Sequence, residues 1–152
     1  MKNTERQTLP EMLAEHPFLN GLEPVYLEFI AGCASVDHID PEEHILIEGQ
    51  QADNFYLVHE GEVVLKTFLS PSEGFAEIQH IMNGDILGWS WLVPPHQWHF
   101  SAFATEPTTL IVINGQQLRE QCEKDHDFGY EIQKRLMLVI GQRLRMTRKH
   151  LR

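Results

Sequence analysis

The chain has 152 residues, a formal net charge of −10, an apolar fraction of 42% and two cysteines. This length suits one domain with a substantial core, and no apolar run approaches the roughly 18 residues that a transmembrane helix needs. The acidic balance disfavours phosphate-bearing polymers, and Cys33 and Cys122 form neither a disulfide framework nor a metal-knuckle pattern, so we expect a cytoplasmic protein with no membrane partner.

The first segment, residues 10–35, has the pattern of short helices. Pro10 suits a first helical turn, Asn20-Gly21 interrupts the pattern, and Pro24 restarts it. We expect Gly32 to end the second helix. One face of that helix is apolar and predicts a lid that packs on the following residues: Leu22, Val25, Tyr26, Phe29 and Ile30.

Over residues 36–114 the apolar period changes to two, which indicates β-strands. Short runs rich in β-branched and aromatic residues alternate with turns, and the predicted strands are 44–47, 54–59, 62–68, 75–81, 98–104 and 108–113. Many short strands at near-regular spacing are typical of a jelly roll. The predicted fold class is therefore mostly β, a jelly-roll β-roll with flanking helices.

Residues 115–152 are predicted to form a short helix over 116–122 and a long helix over 128–151. The long helix carries two apolar stripes: Ile132, Leu136, Val139 and Met146 in one, and Met137, Ile140, Leu144 and Leu151 in the other. If one stripe packs on the β-roll, the other suits the same helix of a second copy, which predicts a homodimer through residues 128–151. In the alternative, both stripes fold back onto one subunit.

The charges are distributed unevenly, since every carboxylate falls at or before Glu131 while seven of the twelve cations lie in the last nineteen residues. A solvated face, or a neutralising partner for the acidic body, is the simpler interpretation of these cations. Contact with nucleic acid or acidic lipid is the other. We expect no nucleic-acid partner.

The order of elements resembles the cyclic-nucleotide-binding domain of the catabolite-activator and fumarate–nitrate regulator (Crp/Fnr) type. The family's turn and core positions are matched by Gly49, Tyr56, Val58, Gly61, Val63 and Gly84-Asp85. The resemblance covers nearly the whole chain and implies a single domain over residues 1–152, with a helical lid at 10–35, a β-roll at 36–114 and C-terminal helices at 115–152. Relatives that regulate transcription carry a helix-turn-helix after the long helix. Because this sequence ends at Arg152, we expect no DNA-binding domain.

In this family the ligand site is a phosphate-binding cassette, here residues 84–104. A short helix reading G-E-x-A-L is followed by R-x-A-T, and the resemblance implies that helix amides and the Arg hold the cyclic phosphate while the Glu binds the ribose hydroxyl. Gly88-Trp89-Ser90-Trp91-Leu92 stands at the helix, so that Trp89 takes the Glu position and Trp98 takes the Arg position. Because charge-assisted bonds of about 1.5–3 kcal/mol each are lost, we expect no micromolar binding of cAMP or cGMP.

Two interpretations of the cassette remain open. In the first, it is a pocket for an uncharged or aromatic ligand stacked between indoles, and the candidate binding residues are Gly88, Trp89, Ser90, Trp91, Gln97, Trp98, His99 and Ser101. In the second, the indoles fill the pocket, because Trp98, Phe100, Ala102 and Ala104 alternate like an ordinary core strand.

Catalytic residues are not predicted, because no nucleophile lies in a recognisable Ser–His–Asp or Cys–His context. The alternative is a cupin-like metalloenzyme using His38, His44 and Glu48, or the His96 and His99 pair, although their spacing is not that of cupins. Two cysteines are too few for an iron–sulfur cluster, and we expect no cofactor and no metal. The predicted function is a stand-alone, non-enzymatic regulatory module that senses a ligand or contacts an unidentified output protein.

Overall fold

The computed structural model describes residues 7–150. The chain divides into two compact units at the boundary between Leu118 and Arg119. The first unit contains the N-terminal helices and all of the strands, and the second contains most of the C-terminal helical segment.

The N-terminal helices are α1 (Leu9–Glu15), a 3₁₀ turn (Pro17–Leu19) and α2 (Pro24–Gly32), which confirms the predicted short helices and the end at Gly32. Thr8 caps α1, because its hydroxyl accepts from the Glu11 N–H while the Glu11 carboxylate accepts from the Thr8 N–H. The predicted apolar face of α2 is only partly buried. Ile30 is fully buried, but the prediction was wrong for Val25, which is 60% exposed.

The strands form two antiparallel sheets, one of three strands in the order β1-β7-β3 and one of four in the order β2-β6-β4-β5. Their bounds are β1 Ala34–Ile39, β2 His44–Leu46, β3 Asn54–Glu60, β4 Glu62–Ser70, β5 Gly74–Met82, β6 Ser101–Ala104 and β7 Thr108–Asn114. The mostly β, jelly-roll prediction is thus confirmed.

Two strand predictions needed correction. The strand β1 was not predicted, because four of its six residues are exposed and it shows no apolar alternation. The strand predicted over 98–104 begins only at Ser101, and residues 98–100 precede it outside the sheet.

The turns depend on glycines with positive φ. Gly49, Gly61 and Gly84 have φ values of 89°, 121° and 84°, which confirms the expectation for these turns. Gly61 is also crowded, because a Cβ there would lie 2.4 Å from the Thr108 hydroxyl oxygen. Only glycine fits at position 61, because the turn between β3 and β4 lies directly against the start of β7.

The C-terminal helices are α3 (Gly115–Lys124) and α4 (His126–His150). The helix α3 is longer than predicted at both ends, and α4 begins two residues earlier than predicted. Asp125 separates them, and its carboxylate accepts from the Phe128 N–H at 3.2 Å. A Cβ on Gly129 would lie 2.7 Å from the Cys122 carbonyl oxygen, so the elbow is tight and requires glycine. Leu151, which was assigned to the second stripe of α4, lies outside the described residues.

The two predicted stripes of α4 differ in exposure. Ile132 and Leu136 of the first stripe are buried, with 0% and 2% of their surface exposed, although Met146 at the far end is 47% exposed. Met137 and Leu144 of the second stripe are 71% and 61% exposed. No helix formed by residues 7–150 is both long and apolar enough to cross a membrane.

Candidate functional site

The first residues of the cassette run alongside β3 and are held there by backbone hydrogen bonds. The Val58 carbonyl accepts from the Gly84 N–H at 2.9 Å, and the Val58 N–H donates to the Asp85 carbonyl at 2.8 Å. The Leu87 N–H then donates to the Tyr56 carbonyl at 3.1 Å. These bonds fix the path of residues 84–87, the first residues of the cassette.

The same Val58 carbonyl also binds the buried side chain of His16. His16 Nε2 lies 3.0 Å from the Val58 carbonyl oxygen, and His16 Nδ1 accepts from the Phe18 N–H at 3.1 Å. Because Nδ1 accepts, the ring proton resides on Nε2, and only this neutral tautomer satisfies both bonds. Burial lowers the pKa of His16, which favours the same neutral form. We call this arrangement the Val58 junction: it connects the N-terminal helices, β3 and the start of the cassette.

The short helix that the resemblance implied at Gly88–Leu92 is absent. Within residues 84–100, all of which the structure describes, the backbone forms turns and isolated bridges. One turn closes through the Leu92 N–H and the Trp89 carbonyl, and another through the His96 N–H and the Val93 carbonyl, each at 2.9 Å. This prediction was wrong, and the helix N-terminus that would hold a phosphate is missing with it.

Trp98 is packed against the glycine of the cassette. Its side chain is only 3% exposed, and its ring centroid lies 6.2 Å from that of Tyr56 and 5.9 Å from that of Phe100. A Cβ on Gly88 would lie 3.2 Å from the Trp98 ring and 3.0 Å from the Phe100 ring. The residue at the expected Arg position is therefore an indole in close apolar contact with the cassette backbone.

Trp91 and Trp89 lie in different surroundings. Trp91 is fully buried and stacks on Phe55, with ring centroids 4.9 Å apart and an interplanar angle of 30°. Trp89 is only partly buried. Trp91 is thus part of the core, whereas Trp89 is accessible from solvent.

The remaining candidate residues divide between the interior and the surface. Ser90 and Ser101 are buried, and the Ser101 hydroxyl accepts from the Glu48 N–H at 3.0 Å. Gln97 and His99 are exposed, although the Gln97 backbone forms a bridge with Gln51. The structure therefore brings Gly88 and Trp98 together and leaves Gln97 and His99 in solvent.

Some contacts around the cassette were not predicted from the sequence. Tyr56, which was matched to a family turn or core position, and Phe100, which was assigned to a core strand face, both pack beside Trp98. Glu48 binds across to β4, where its carboxylate accepts from the Thr67 hydroxyl at 3.3 Å and the Phe68 N–H at 3.1 Å. These contacts join residues about 20 positions apart, and no local pattern predicts them.

The residues proposed for a cupin-like metal site do not converge. His38 lies on β1 and is hydrogen-bonded to the Thr109 hydroxyl, whereas His44 lies on β2 with its ring 4.2 Å from that of Phe103. Within residues 7–150 no group of three or more His, Cys, Asp or Glu is arranged to hold a metal ion. The geometry offers no support for the metalloenzyme alternative.

Comparison with known proteins agrees with the fold. The sequence profile of the cyclic nucleotide-binding domain matches residues 36–125. A candidate cyclic nucleotide-binding protein from Geobacter metallireducens GS-15 shares 30% identity over 91% of this chain and 99% of its own, with a TM-score of 0.79. No curated protein matches the chain.

Two further structures share the fold at lower identity. The catabolite activator protein of Thermus thermophilus has 20% identity and a TM-score of 0.70, covering 89% of this chain and 61% of its own. The regulatory subunit of a cAMP-independent protein kinase A from Trypanosoma cruzi, bound to guanosine, has 22% identity and a TM-score of 0.66, covering 84% of this chain and 48% of its own.

The protein belongs to the cyclic nucleotide-binding domain family. The Crp/Fnr-type resemblance is confirmed, and both family and fold are those of regulatory domains that sense a ligand. Members of this family are generally not enzymes.

Replacing Trp98 by Ala tests how far its ring contributes to the core. We expect a loss of about 3–5 kcal/mol in the free energy of unfolding, because a buried indole is removed from among Gly88, Tyr56 and Phe100. Trp89→Ala is the matched control, and it should cost less than half as much because its ring is partly solvated. Denaturant unfolding followed by far-UV circular dichroism measures both, and equal losses would contradict the packing of Trp98.

The Val58 junction predicts that the protein loses stability in acid. Since burial lowers the pKa of His16, the unfolded chain binds the proton first, and the contribution of neutral His16 is complete above its unfolded pKa of about 6.5. That contribution is lost as the pH falls through the folded pKa. His16→Gln keeps a donor for the Val58 carbonyl but does not titrate, so its free energy of unfolding should vary less between pH 7 and pH 5 than that of the wild type.

His99→Gln is the control for this experiment, because His99 is exposed and its replacement should leave the pH dependence unchanged. Denaturant titrations at several pH values provide the comparison. If His16→Gln retains the full pH dependence of the wild type, the junction is not the source of the acid sensitivity.

Proposed function

We propose that this protein is a regulatory module of the cyclic nucleotide-binding domain family that has lost recognition of the cyclic phosphate. One observation carries the proposal: Trp98, at the position of the phosphate-binding Arg, is 3% exposed and packs on Gly88. The module acts without catalysis and passes its signal to a partner protein. Free Cys33 and Cys122 suit a reducing cytoplasm.

The energies involved disfavour a bound phosphate. Binding would require the Trp98 ring to leave the core, at a cost of roughly 1.5–3 kcal/mol for a large apolar side chain. The charge-assisted bonds that an Arg supplies are worth about the same again, so the combined deficit is roughly two to four decades of affinity. Residues 84–104 contain no Lys or Arg, and the nearby Lys66 places its ammonium 5.2 Å from the Phe103 ring centroid instead.

Calorimetric titration with cAMP and cGMP should show no low-micromolar binding to the wild type. Trp98→Arg and Trp98→Met both replace the indole with a flexible, unbranched side chain, but only the Arg supplies charge. We expect the Arg variant to bind cAMP roughly 10- to 150-fold more tightly than the Met variant, because only it makes a charge-assisted bond to phosphate. Low-micromolar binding of cAMP to the wild type would refute the proposal, and circular dichroism must first show that both variants are folded.

A second candidate is recognition of an uncharged ligand such as a nucleoside at the cassette. Partly buried Trp89 can stack on a flat ring, while exposed Gln97 and His99 offer hydrogen bonds. The kinase regulatory subunit from Trypanosoma cruzi supports this candidate, since part of it shares this fold and it is bound to guanosine, a ligand without phosphate. Guanosine and adenosine in the same titrations test it, and any affinity should fall in Trp89→Ala.

We also propose that the protein is a homodimer through the α4 residues of the predicted 128–151 interface. The exposed residues Tyr130, Met137 and Leu144 are seven positions apart, the spacing of a coiled-coil seam. An apolar groove of about 640 Å³ lies along the same helix, and its lining includes Tyr130, Met137 and Leu138. A second copy of α4 satisfies both features, since it brings a matching stripe related by two-fold symmetry.

The dimer is tested by placing charge in the exposed stripe. Met137→Glu with Leu144→Glu should convert a dimer into a folded monomer, because two carboxylates from each copy would meet in an apolar seam. Gln142→Glu is the control, since Gln142 is exposed and points away from the stripe on a helical projection. Analytical ultracentrifugation decides the outcome, and a dimer that survives the double substitution would rule out this interface.

Two of the basic residues of α4, Lys134 and Arg135, form ion pairs within the helix. Glu131 accepts from Arg135 at 2.5 Å and lies 3.6 Å from the Lys134 ammonium. These ion pairs keep the pKa of Glu131 below its usual value. We therefore propose no nucleic-acid partner.

A further inference from the structure

A cavity of about 240 Å³ lies in the first unit, on the face of the three-stranded sheet that carries α1. Three residues lie side by side across the sheet here, because Thr109 pairs with His38 on one side and with Glu60 on the other. A bulge between Val58 and Glu60 leaves His59 outside the regular ladder, and His59 also lines the cavity. We call this space the sheet-end cavity; none of its lining residues belongs to the cassette.

The sheet-end cavity has a polar wall and an apolar wall. The polar lining residues are Glu60, His38, His59 and Thr109, and the Thr109 hydroxyl is 3.3 Å from His38 Nδ1. Glu60 and His38 are exposed, so this side of the cavity is open to solvent. Met12 and Val36 form the apolar wall. A ligand that matches both walls carries one polar head and a short hydrocarbon body.

Gln7 closes the cavity from the side of α1. Its side-chain amide donates to the Glu15 carboxylate at 2.5 Å, which ties the segment before α1 to the end of that helix. Gln7 is one of the lining residues, and its side chain carries an amide oxygen that can accept a hydrogen bond. The volume is below the roughly 300–1,000 Å³ of pockets for drug-sized ligands, so the occupant must be small.

The negative charge of the first unit favours a positively charged head group on the ligand. Residues 1–118 contain 17 carboxylates and three Lys or Arg residues, and no described residue lining the cavity is Lys or Arg. An acidic surface of this kind concentrates cations and repels anions, most effectively inside a cleft. An ammonium group supplies three donors and no acceptor, which suits a lining whose residues carry a carboxylate, an amide oxygen and a hydroxyl.

We propose that the sheet-end cavity binds a small organic cation, a primary ammonium group on a short alkyl chain. The ammonium contacts Glu60, and the alkyl chain lies against Met12 and Val36. Because the lining comes from α1, β1, β3 and β7, an occupant bridges the N-terminal helix to the sheet. His59 follows Val58 directly, so the occupied cavity adjoins the Val58 junction and stabilises the attachment of the lid.

Butylammonium is the probe, with butanol and butyrate as the neutral and anionic ligands of similar length. Calorimetry on the full chain should show saturable butylammonium binding and no binding of the other two. Glu60→Gln should weaken butylammonium binding roughly 2- to 5-fold, because it removes an exposed charge partner of the ammonium. Glu28→Gln, an exposed residue on α2 outside the cavity, changes the net charge equally and should leave binding unchanged.

Three results would overturn the proposal. Butylammonium fails to bind the wild type at millimolar concentration, or butanol and butyrate bind as well as butylammonium does, or Glu28→Gln weakens binding as much as Glu60→Gln. The last result would show general attraction to an acidic surface and no defined site. A thermal unfolding transition that rises with butylammonium in the wild type and in Glu28→Gln, but rises less in Glu60→Gln, gives independent support.

Discussion

The Val58 carbonyl accepts two hydrogen bonds, and the arrangement of the first unit depends on them. One comes from the Gly84 N–H at 2.9 Å and the other from the buried His16 ring at 3.0 Å. A carbonyl oxygen has two lone pairs, so both are used and no water is needed. The N-terminal helices, β3 and the cassette entrance are thereby held at a single backbone position, and His16 must be neutral for the junction to form.

The cassette starts at the Val58 junction, and its next residues pack closely against aromatic rings. Once residues 84–87 are aligned with β3, Gly88 faces the Trp98 and Phe100 rings at distances that exclude a side chain on Gly88. Trp91 stacks on Phe55 in the core, and the backbone forms turns at the position of the expected helix. Aromatic side chains thus pack at the position where the family resemblance places the Arg that binds phosphate. The dense negative charge of residues 1–118 acts in the same direction, because it opposes the approach of anions and favours small cations.

The sequence predicted those parts of the fold that have local causes. Alternating apolar residues identified β3, β4 and β5, and glycines with positive φ marked the turns at Gly49, Gly61 and Gly84. The strand β1 was missed because exposed residues break its alternation, and pairing with β7 stabilises it instead. The cassette could be located by counting from Ser101, but its conformation could not be predicted. The contact of Trp91 with Phe55, which accompanies the loss of the helix, joins residues far apart in the chain, and local propensity carries no information about it.

Fluorine NMR of the protein labelled with 5-fluorotryptophan tests the central claim most directly, since each of the three indoles gives its own resonance. Single Trp→Phe substitutions assign the lines. The account predicts that the Trp91 and Trp98 resonances show almost no shift between H₂O and D₂O and that the Trp89 resonance does shift. It also predicts that cAMP added well above micromolar concentration leaves the Trp98 line in place. A Trp98 resonance that responds to solvent, or that moves as cAMP is added, would show that the cassette is an open phosphate site and would contradict the account.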